Sequence, residues 1–279
     1  MYWKTSHRIL DLNRPLVMGI LNVTPDSFSD GGRFLDSGEA TRRAAAMVAE
    51  GVDIIDVGGE STRPGSAPVP SRQEIDRVVP IIEKIHSEFD TPISIDTTKS
   101  AVAAAAFNAG AEIINDISGL RFDPSIAEVA AGTGAGLVLM HSRGGFNEMH
   151  SQPHADDIFT VVADELRVSV DTAKAAGVDD NRIVLDVGLG FAKSFEQNLE
   201  LIAKLDKLKE QLPFPMLIGA SRKSFIGKVL DGVPTEQRLS GSLAAAAIAL
   251  WNGADILRVH DVGQTRDVVR MVTALRSQI

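Results

Sequence analysis

Leu16 to Phe34 reads LVMGILNVTPDSFSDGGRF, and the rest of the chain repeats its arrangement. The stretch begins with apolar residues, as a strand buried on both faces does. At Asn22 it turns polar and continues into a turn-prone run that contains Thr24-Pro25-Asp26 and Gly31-Gly32. A buried strand that ends on an amide side chain and is followed by a long polar loop is typical of a functional site.

Short apolar segments rich in Val and Ile recur along the chain, each separated from the next by a helix-like stretch. The eight predicted strands are Leu16–Val23, Asp53–Gly59, Ile93–Thr97, Ile113–Ile117, Gly136–His141, Ile183–Gly188, Met216–Ser221 and Ile256–His260. Alternating strands and helices predict a parallel sheet, and eight units predict closure into a (β/α)8 TIM barrel. An open doubly wound sheet usually shows an early G-x-G-x-x-G, and none follows the first strand.

The segments between the strands have helical period and composition. Ser71-Arg72-Gln73-Glu74 is predicted to be a capping box that opens a helix toward Glu88. Thr98 to Ala109 is rich in Ala, and Asp157 to Ala176 and Gln197 to Leu212 place apolar residues at three- and four-residue spacing. The segment from Arg238 to Trp251 has the same pattern. Glycines that follow these segments fit helix C-termini, namely Gly51, Gly110, Gly177 and Gly253.

Length and composition predict one soluble domain spanning residues 1–279 in the cytoplasm. A chain of 279 residues is normal for an α/β barrel, and we find no linker or low-complexity segment. The chain has no cysteine, which fits a reducing compartment. A net charge of -9 argues against general nucleic-acid binding. No apolar run approaches the roughly 18 residues of a membrane span.

The strand ends carry polar side chains, and in a barrel the chemistry lies at that end. Asp96, Asn115 and Asp186 offer acceptors and an amide, which suits a heterocycle edge with several N–H donors, or alternatively a hard metal ion. Lys223, Arg258 and His260 are cations from the ends of the seventh and eighth strands, where barrels commonly bind phosphate. Ser221 is expected to lie where a helix begins, so that free backbone N–H groups add to anion binding.

Other catalytic templates are absent from the sequence. There is no H-E-x-x-H, no G-x-x-x-x-G-K-[ST] and no G-x-S-x-G. His141, His150 and His154 could be considered as zinc ligands, but the segment between them lacks the regular spacing of such ligands. The segment from Arg143 to Asp157 is predicted to be an irregular loop.

These residues together resemble a known family, the dihydropteroate synthases, from the first strand to the last. The resemblance lies in MGILNVTPDSFSDGG (18–32), DVGGESTRPG (56–65), SIDTTK (94–99), INDISG (114–119), LMH (139–141), SRKSFIG (221–227), GS (241–242) and RVHDV (258–262). It implies a transferase of folate synthesis that joins 6-hydroxymethyl-7,8-dihydropterin diphosphate to p-aminobenzoate and releases diphosphate. A dissociative, SN1-like displacement is expected, because diphosphate leaves readily once neutralised and the dihydropterin can delocalise positive charge.

The resemblance also implies roles for individual residues. The pterin would be held by Asp96, Asn115, Asp186 and Lys223, with Met140 lining the pocket and Thr62 close to the substrate. Asn22 would coordinate Mg²⁺, and Arg258 and His260 would bind the diphosphate, with Arg258 also lying over the pterin ring. The aminobenzoate pocket would be formed by Phe28, Thr62, Arg63, Pro64, Phe191 and Ser221. Asp30 and Arg63 would act with Lys223, Arg258 and His260 in catalysis, and a homodimer is expected.

The chain departs from the family pattern after Asp186. Where the family usually has Pro-Gly-Phe-Gly-Phe-Gly-Lys, this chain has Val187-Gly188-Leu189-Gly190-Phe191-Ala192-Lys193, so the pocket wall near the aminobenzoate is expected to differ slightly. Residues 142–144 also depart from the usual Met-x-Gly. No residue is inserted after Phe28, so sulfonamides are expected to compete with p-aminobenzoate.

Three alternatives remain open from the sequence. A pterin-binding methyltransferase would share the Asp and Asn contacts but would not need the diphosphate cations or the TPDSFSDGG and ESTRPG loops. A non-catalytic paralogue would bind pterin without turnover, and the changes at Val187 and Ala192 leave room for it. A metal-dependent aldolase or hydrolase would use Asp96 and Asp186 as ligands.

Overall fold

The computed structural model describes residues 1–24, 37–62, 65–146, 148 and 155–278. The strands in this part of the chain are β1 (Tyr2–Lys4), β2 (Ile9–Asp11), β3 (Leu16–Asn22), β4 (Ile54–Gly58), β5 (Ile93–Asp96), β6 (Ile113–Asp116), β7 (Gly136–Met140), β8 (Ile183–Asp186), β9 (Met216–Ile218) and β10 (Ile256–Val259). The α-helices are α1 (Ser37–Ala49), α2 (Ser71–Glu88), α3 (Ser100–Asn108), α4 (Ser125–Thr133), α5 (Ile158–Ala175), α6 (Phe195–Ala203), α7 (Leu205–Gln211), α8 (Ser224–Val229), α9 (Leu239–Trp251) and α10 (Val262–Arg276).

Strands β3 to β10 form a closed parallel barrel in chain order, and β10 pairs with β3 to complete it. The predicted (β/α)8 TIM barrel is therefore confirmed. Each of the eight predicted strands is present and ends one to three residues earlier than predicted. The assignment of residues 1–279 to a single domain stays a prediction. No helix in the described ranges combines the length and apolar character that crossing a membrane requires.

The helices differ from the sequence prediction in two places. The capping box at Ser71 is wrong: the N-cap of α2 is Pro70, without a side-chain cap, and Glu74 is buried. The single helix predicted from Gln197 to Leu212 is two helices, α6 and α7, that meet at Lys204. A capping box does open α6, where Ser194 and Gln197 exchange hydrogen bonds.

The helix ends that were predicted from following glycines are confirmed. Gly51, Gly110, Gly177 and Gly253 all have positive φ, between 85° and 114°. The left-handed conformation lets the chain leave each helix and turn toward the next strand, and it favours glycine because a Cβ is crowded there.

The barrel interior changes from apolar to polar along the strands. Its lower layer consists of Leu16, Met18, Ile54, Ile113, Val138, Val184, Leu217 and Ile256, which pack together. Side chains on a strand alternate between faces, so the interior positions recur at every second residue. Two residues beyond this layer, the interior side chains on four strands are Asp56, Asn115, Asp186 and Arg258. The alternation therefore brings polar groups into the mouth of the barrel at the carboxyl ends of the strands.

The opposite end of the barrel is closed by a hairpin that the sequence analysis missed. Strands β1 and β2 pair antiparallel, and Trp3 on β1 packs against the lower layer with no exposed surface. The Trp3 indole donates a hydrogen bond to the carbonyl oxygen of Arg182, at 2.8 Å. Gly136 leaves room for the ring, because a Cβ there would lie 3.0 Å from Trp3 Cζ2.

Candidate active site

The strand register brings several predicted site residues to one level of the barrel mouth. Asn22 pairs with Gly58, Gly58 with Asp96, and Asp96 with Asn115 across neighbouring strands. Farther around the barrel, Met140 pairs with Asp186. The structure thus places Asn22, Asp96, Asn115, Met140 and Asp186 at the same rim, where the sequence analysis expected the chemistry.

A buried network of charged groups occupies the side of the mouth between β4, β5 and β10. Arg258 donates from Nε to Asp56 Oδ2 and from Nη2 to Asp96 Oδ2, at 2.6 Å each. Asn115 Nδ2 donates to the same Asp56 oxygen at 3.1 Å. Burial raises the pKa of Asp96 to about 7, although Arg258 opposes this shift. Asp56 therefore connects Asn115 to Arg258, and Arg258 in turn binds Asp96.

Asp186 and Lys223 lie close together on the side of the mouth formed by β8 and β9. A Cβ placed on Gly219 would lie 4.0 Å from Asp186 Oδ2 and 4.0 Å from Lys223 Nζ, so both groups border the space that this glycine leaves open. Burial raises the pKa of Asp186 and lowers the pKa of Lys223 to about 8, and the attraction between the two groups opposes both shifts. Lys223 also donates to the carbonyl oxygen of Leu189.

An apolar wall lies beside these charges. Met140 and Phe191 pack together with Ile117, and Phe122 and Phe146 lie against them. Lys223 Nζ lies 4.9 Å from the centre of the Phe191 ring. A flat heterocycle could therefore contact apolar side chains on its face while its edge meets the Asp and Asn groups.

Ser221 and His260 contact each other at the ends of β9 and β10. Ser221 Oγ lies 3.0 Å from His260 Nδ1, and the His260 backbone N–H donates to Ser221 Oγ at 3.2 Å. The prediction that a helix begins at Ser221 is wrong, because α8 begins at Ser224. The chain turns first at Arg222, whose φ is 59° and whose backbone N–H donates to Ser242 Oγ.

Oxygen atoms at the ends of β3 and β5 are suitable ligands for a small hard cation. A Cβ on Gly58 would lie 3.5 Å from Asn22 Oδ1 and 3.7 Å from Asp96 Oδ2, so both oxygens border the space above this glycine. Mg²⁺ prefers oxygen ligands and usually keeps several waters, so one amide oxygen is a suitable protein contribution. No group of three or more His, Cys, Asp or Glu side chains in the described ranges could hold a metal ion by itself.

Some of the predicted site residues cannot be placed. Phe28 and Asp30, and Arg63 and Pro64, lie outside the described residues. Thr62 is described and half-buried beyond the end of β4. The segment from Arg143 to Asp157 is described only in part, and its described portion before Asp157 contains no helix or strand.

Sequence reasoning missed Asp56, which is fully buried on β4. The signal was present, since Asp56 is the single charged residue in the otherwise apolar strand Ile54–Gly58. A carboxylate at such a position needs a buried partner, because an unpaired charge is costly to remove from water.

A second group that the sequence analysis did not assign lies behind the apolar wall. Lys193 Nζ lies 2.8 Å from His141 Nδ1 and donates to the Phe191 carbonyl oxygen at 2.9 Å. His141 Nε2 lies 3.3 Å from Glu165 Oε2. Burial lowers the pKa of Lys193 to about 7 and that of His141 to about 4, and the positive charge of Lys193 adds to the shift of His141. Lys193 thereby ties the segment that carries Phe191 to β7.

The departures from the family pattern lie in this same segment. Gly188 and Gly190 have φ of 66° and 81°, and Ala192 has φ of 52°, in the left-handed region that favours glycine. Gly188 is required by space as well, because a Cβ there would lie 1.8 Å from the His141 carbonyl oxygen. Ala192 thus keeps the left-handed conformation at a position where the family usually has glycine, at some cost in backbone strain.

Fold and site together define a class: a (β/α)8-barrel enzyme whose strand ends carry a heterocycle-binding edge next to a cationic anion site. The family described as "Pterin binding enzyme" matches residues 18–260. A dihydropteroate synthase of Synechocystis is 47% identical over 262 residues, which cover 94% of this chain and 90% of that protein.

Solved structures agree with this assignment. The crystal structure of Yersinia pestis dihydropteroate synthase with a sulfonamide drug has a TM-score of 0.93 and 44% identity, with 100% of both chains covered. Xanthomonas albilineans dihydropteroate synthase with 4-aminobenzoic acid has a TM-score of 0.92 and 42% identity, with 99% of this chain and 98% of that chain covered. The chain belongs to the dihydropteroate synthase family and is a transferase.

Proposed function

We propose that the chain joins 6-hydroxymethyl-7,8-dihydropterin diphosphate to p-aminobenzoate and releases diphosphate, giving 7,8-dihydropteroate. The observation that carries this proposal is the convergence of Asp96, Asn115 and Asp186 with the cations Lys223 and Arg258 at one barrel mouth. Family membership gives the reaction, and the geometry supports a role for each of these residues.

The acceptors of the mouth would bind the pterin edge. A pterin presents a 2-amino group and ring N–H groups beside a 4-oxo group, so it combines donors with an acceptor. Carboxylates accept from such donors, and an amide can both accept and donate. The wall of Met140 and Phe191 would contact the ring face. This division of labour between edge and face is usual in small-molecule sites.

The cations of the mouth would hold the diphosphate. Arg258 and His260 lie on or just beyond β10, and His260 is oriented by Ser221. Positive charge at the leaving group stabilises the negative charge that develops as the carbon–oxygen bond breaks. The remaining carbon can share its positive charge with the dihydropterin ring, so the weakly basic arylamine needs no strong general base. An SN1-like displacement follows from these properties.

Mg²⁺ is proposed as the cofactor, with Asn22 as its protein ligand. The Asn22 amide oxygen borders the same space as Asp96, and diphosphate oxygens and water would complete the coordination. When bound, the ion would neutralise diphosphate charge as a Lewis acid.

The aminobenzoate pocket is proposed to lie between the first two loops and the Phe191 segment. Phe191 and Ser221 border the mouth, and Thr62 lies at the beginning of the second loop. Phe28, Arg63 and Pro64 are assigned to this pocket, and Asp30 and Arg63 to catalysis, from family resemblance. Sulfonamides are expected to compete at this pocket, since the Yersinia pestis relative was solved with such a drug.

A homodimer in the cytoplasm is proposed as the working form. Helices α9 and α10 are neighbours and expose large apolar side chains, namely Ile248, Trp251, Met271 and Leu275. Exposed apolar clusters of this kind mark protein–protein contacts. Sedimentation equilibrium would measure the mass of the assembly.

Turnover tests the proposed function. Purified chain is mixed with dihydropterin diphosphate, p-aminobenzoate and Mg²⁺, and diphosphate release is followed over time. Release should depend on both p-aminobenzoate and Mg²⁺ and should disappear in Lys223→Ala, with Lys228→Ala on α8 as the matched control. Tight pterin binding without release would reject the synthase assignment in favour of a non-catalytic pterin-binding protein.

A further inference from the structure

Asp56 is a buried carboxylate in the barrel that the proposed function does not use. Its side chain has no exposed surface, and its Oδ2 accepts from both Asn115 and Arg258. Its other oxygen, Oδ1, has no hydrogen-bond partner among the described residues. A half-satisfied buried charge costs stability, because the unpaired oxygen loses its hydration without compensation. Asp56 therefore calls for an explanation other than stability of the fold.

The contact with Asn115 fixes the orientation of that amide. An amide has a donor end and an acceptor end, and rotation by half a turn exchanges them. Because Asp56 is an acceptor, it holds the Nδ2 end of Asn115 toward itself. The Asn115 oxygen and its second N–H then have fixed positions for a ligand. A donor–acceptor pattern fixed before binding discriminates between heterocycle edges, since a mismatched edge leaves buried polar groups unpaired.

The contact with Arg258 fixes the inner end of that side chain. Nε–H donates to Asp56, whereas Nη2 donates to Asp96. A ligand that needs the Asp96 carboxylate must compete with Nη2 but not with Nε. The guanidinium can therefore release Asp96 and turn its outer nitrogens toward an anion while Asp56 retains Nε. Asp56 is thus the partner that Arg258 keeps, and Asp96 is the partner that Arg258 gives up when a ligand binds.

We propose that Asp56 is a positioning residue for the pterin diphosphate site, which orients Asn115 for the pterin edge and anchors Arg258 for the diphosphate. This inference rests on the proposed function, but it can be tested by ligand binding without turnover. Failure of wild-type turnover would reject the proposed function, whereas the pterin affinity of Asp56 variants tests the role of Asp56 alone.

The first test is the affinity of Asp56→Asn for 6-hydroxymethylpterin, measured by calorimetry with no diphosphate present. The variant keeps the size of the side chain and one acceptor oxygen, but it loses the negative charge that holds the Arg258 guanidinium, and its amide can turn an N–H toward Asn115. Loss of a hydrogen bond to a charged group predicts about tenfold to hundredfold weaker pterin binding. Steady-state kinetics should show a higher KM for dihydropterin diphosphate and an unchanged KM for p-aminobenzoate.

A double-mutant cycle separates positioning from a general loss of structure. If Asp56 acts on the pterin through Asn115, Asp56→Asn should weaken pterin binding by less than about threefold in an Asn115→Ala background. An undiminished effect in that background, or wild-type affinity in the single variant, would overturn the inference.

Asp53→Asn is the matched control. Asp53 precedes the same strand and pairs with Arg14 and Arg266 at the opposite end of the barrel. The substitution removes a partly buried carboxylate from the same part of the chain and leaves the residues of the barrel mouth unchanged. Its pterin affinity should equal that of the wild type, even where its unfolding temperature falls.

The swapped pair Asp56→Asn with Asn115→Asp keeps the inference testable if Asp56→Asn alone does not fold. Asn115→Asp alone places two carboxylates against each other and should lower the unfolding temperature. Adding Asp56→Asn restores a donor–acceptor contact in the reverse sense, so the unfolding temperature should recover. Absence of recovery would show that the two side chains do not act as a pair and would reject the proposal.

Discussion

Lys223 shows how a single residue can carry charge in a partly closed site. Its ammonium group lies near the Phe191 ring and faces Asp186, with Arg258 and Asp96 on the same mouth. Burial and Arg258 disfavour the charged form, and the two carboxylates favour it. The balance lowers the pKa to about 8, so the group is still charged at neutral pH but loses its proton in mildly alkaline solution.

We predict that kcat/KM for dihydropterin diphosphate falls as the pH rises through about 8. The ammonium form attracts the substrate, and it is present below this pKa and lost above it. The fall should approach about tenfold per pH unit once the group is mostly neutral. A pH profile of kcat/KM at saturating p-aminobenzoate measures it.

Lys223→Arg provides the control for this prediction. A guanidinium stays charged throughout the accessible pH range, so the alkaline fall should disappear even if the absolute rate is lower. An alkaline fall of unchanged position in the variant would assign the titration to another group.

The residues at the strand ends were predictable because a (β/α)8 barrel exposes its chemistry there. Asp96, Asn115 and Asp186 lie at the carboxyl ends of apolar strands, and the register brings them to one rim as expected. Asp56 was not found because it lies within a strand rather than at its end. Arg258 on β10 can contact Asp56 on β4 because the barrel is closed, and the sequence near either residue does not show that they meet.

At the scale of elements, a buried ion network holds both ends of the segment that follows β4. Lys99 Nζ donates to Glu60 at 2.9 Å and to Glu74 on α2 at 2.6 Å. Glu60 Oε1 in turn accepts from the Val69 backbone N–H at 2.5 Å. Glu60 thereby joins the beginning and the end of residues 60–69, the segment to which Thr62 belongs.

We predict that Glu60→Gln raises the KM for p-aminobenzoate by about tenfold and leaves the KM for dihydropterin diphosphate within about twofold. The amide can still accept from Val69, but it no longer attracts Lys99, so the segment loses its fixed anchor. Initial rates with each substrate varied in turn measure the two constants.

Glu200→Gln on α6 is the control, since its partner Lys204 is exposed and the pair lies outside the mouth. It should leave both KM values unchanged. Equal rises in the two KM values of Glu60→Gln would contradict a role confined to this segment.

The same network explains why the capping box was wrong. Ser71 and Glu74 have the spacing of a capping box, but Glu74 accepts from Thr97 at 2.7 Å as well as from Lys99. A tertiary ion pair thus prevails over the local contact, which is worth only about 1 kcal/mol. The division at Lys204 was missed for a different reason, because apolar periodicity continues through the break from Leu201 to Leu208.

At the scale of the molecule, the end of the barrel opposite the mouth is closed by the hairpin of β1 and β2, whose Trp3 side chain is fully buried. Trp3 fills the lower opening and contacts the apolar layer contributed by the strands. A large aromatic group in such a place stabilises the fold by removing apolar surface from water and by filling space between strands.

We predict that Trp3→Ala lowers the free energy of unfolding by about 3–5 kcal/mol, the usual cost of truncating a buried aromatic side chain. Urea unfolding followed by circular dichroism measures it. The kcat should change little, because Lys223, Arg258 and His260, to which catalysis is assigned in the proposed function, lie at the other end of the barrel.

Two further variants separate the contributions of the ring and of its hydrogen bond to the stability that Trp3 provides. Trp3→Phe keeps one aromatic ring but loses the hydrogen bond to Arg182 and part of the packing, so its loss should be smaller than that of Trp3→Ala. Tyr2→Ala removes an exposed neighbour and should be close to neutral. A loss below about 1 kcal/mol in Trp3→Ala would show that the hairpin does not stabilise the barrel.

The barrel as a whole could be predicted because the pattern of an apolar strand followed by a helix recurs eight times in the sequence. The hairpin could not be predicted in this way. Strands β1 and β2 have three residues each, too few for alternation to be recognised. Their position is set by Trp3 packing on strands that come much later in the chain, which is information that only the folded molecule contains.

Barrel closure between β3 and β10 also bears on how the protein is made. Asp56 and Arg258, which meet in the mouth, are 202 residues apart in the chain. A ribosome adds about 5–20 residues per second, so the partner of Asp56 emerges many seconds after Asp56 itself. Until then the edge of β3 has no neighbour on one side, and the carboxylates of the mouth lack their guanidinium. The nascent chain therefore gains its closed sheet and its ability to bind substrate in the same late step, when β10 is released.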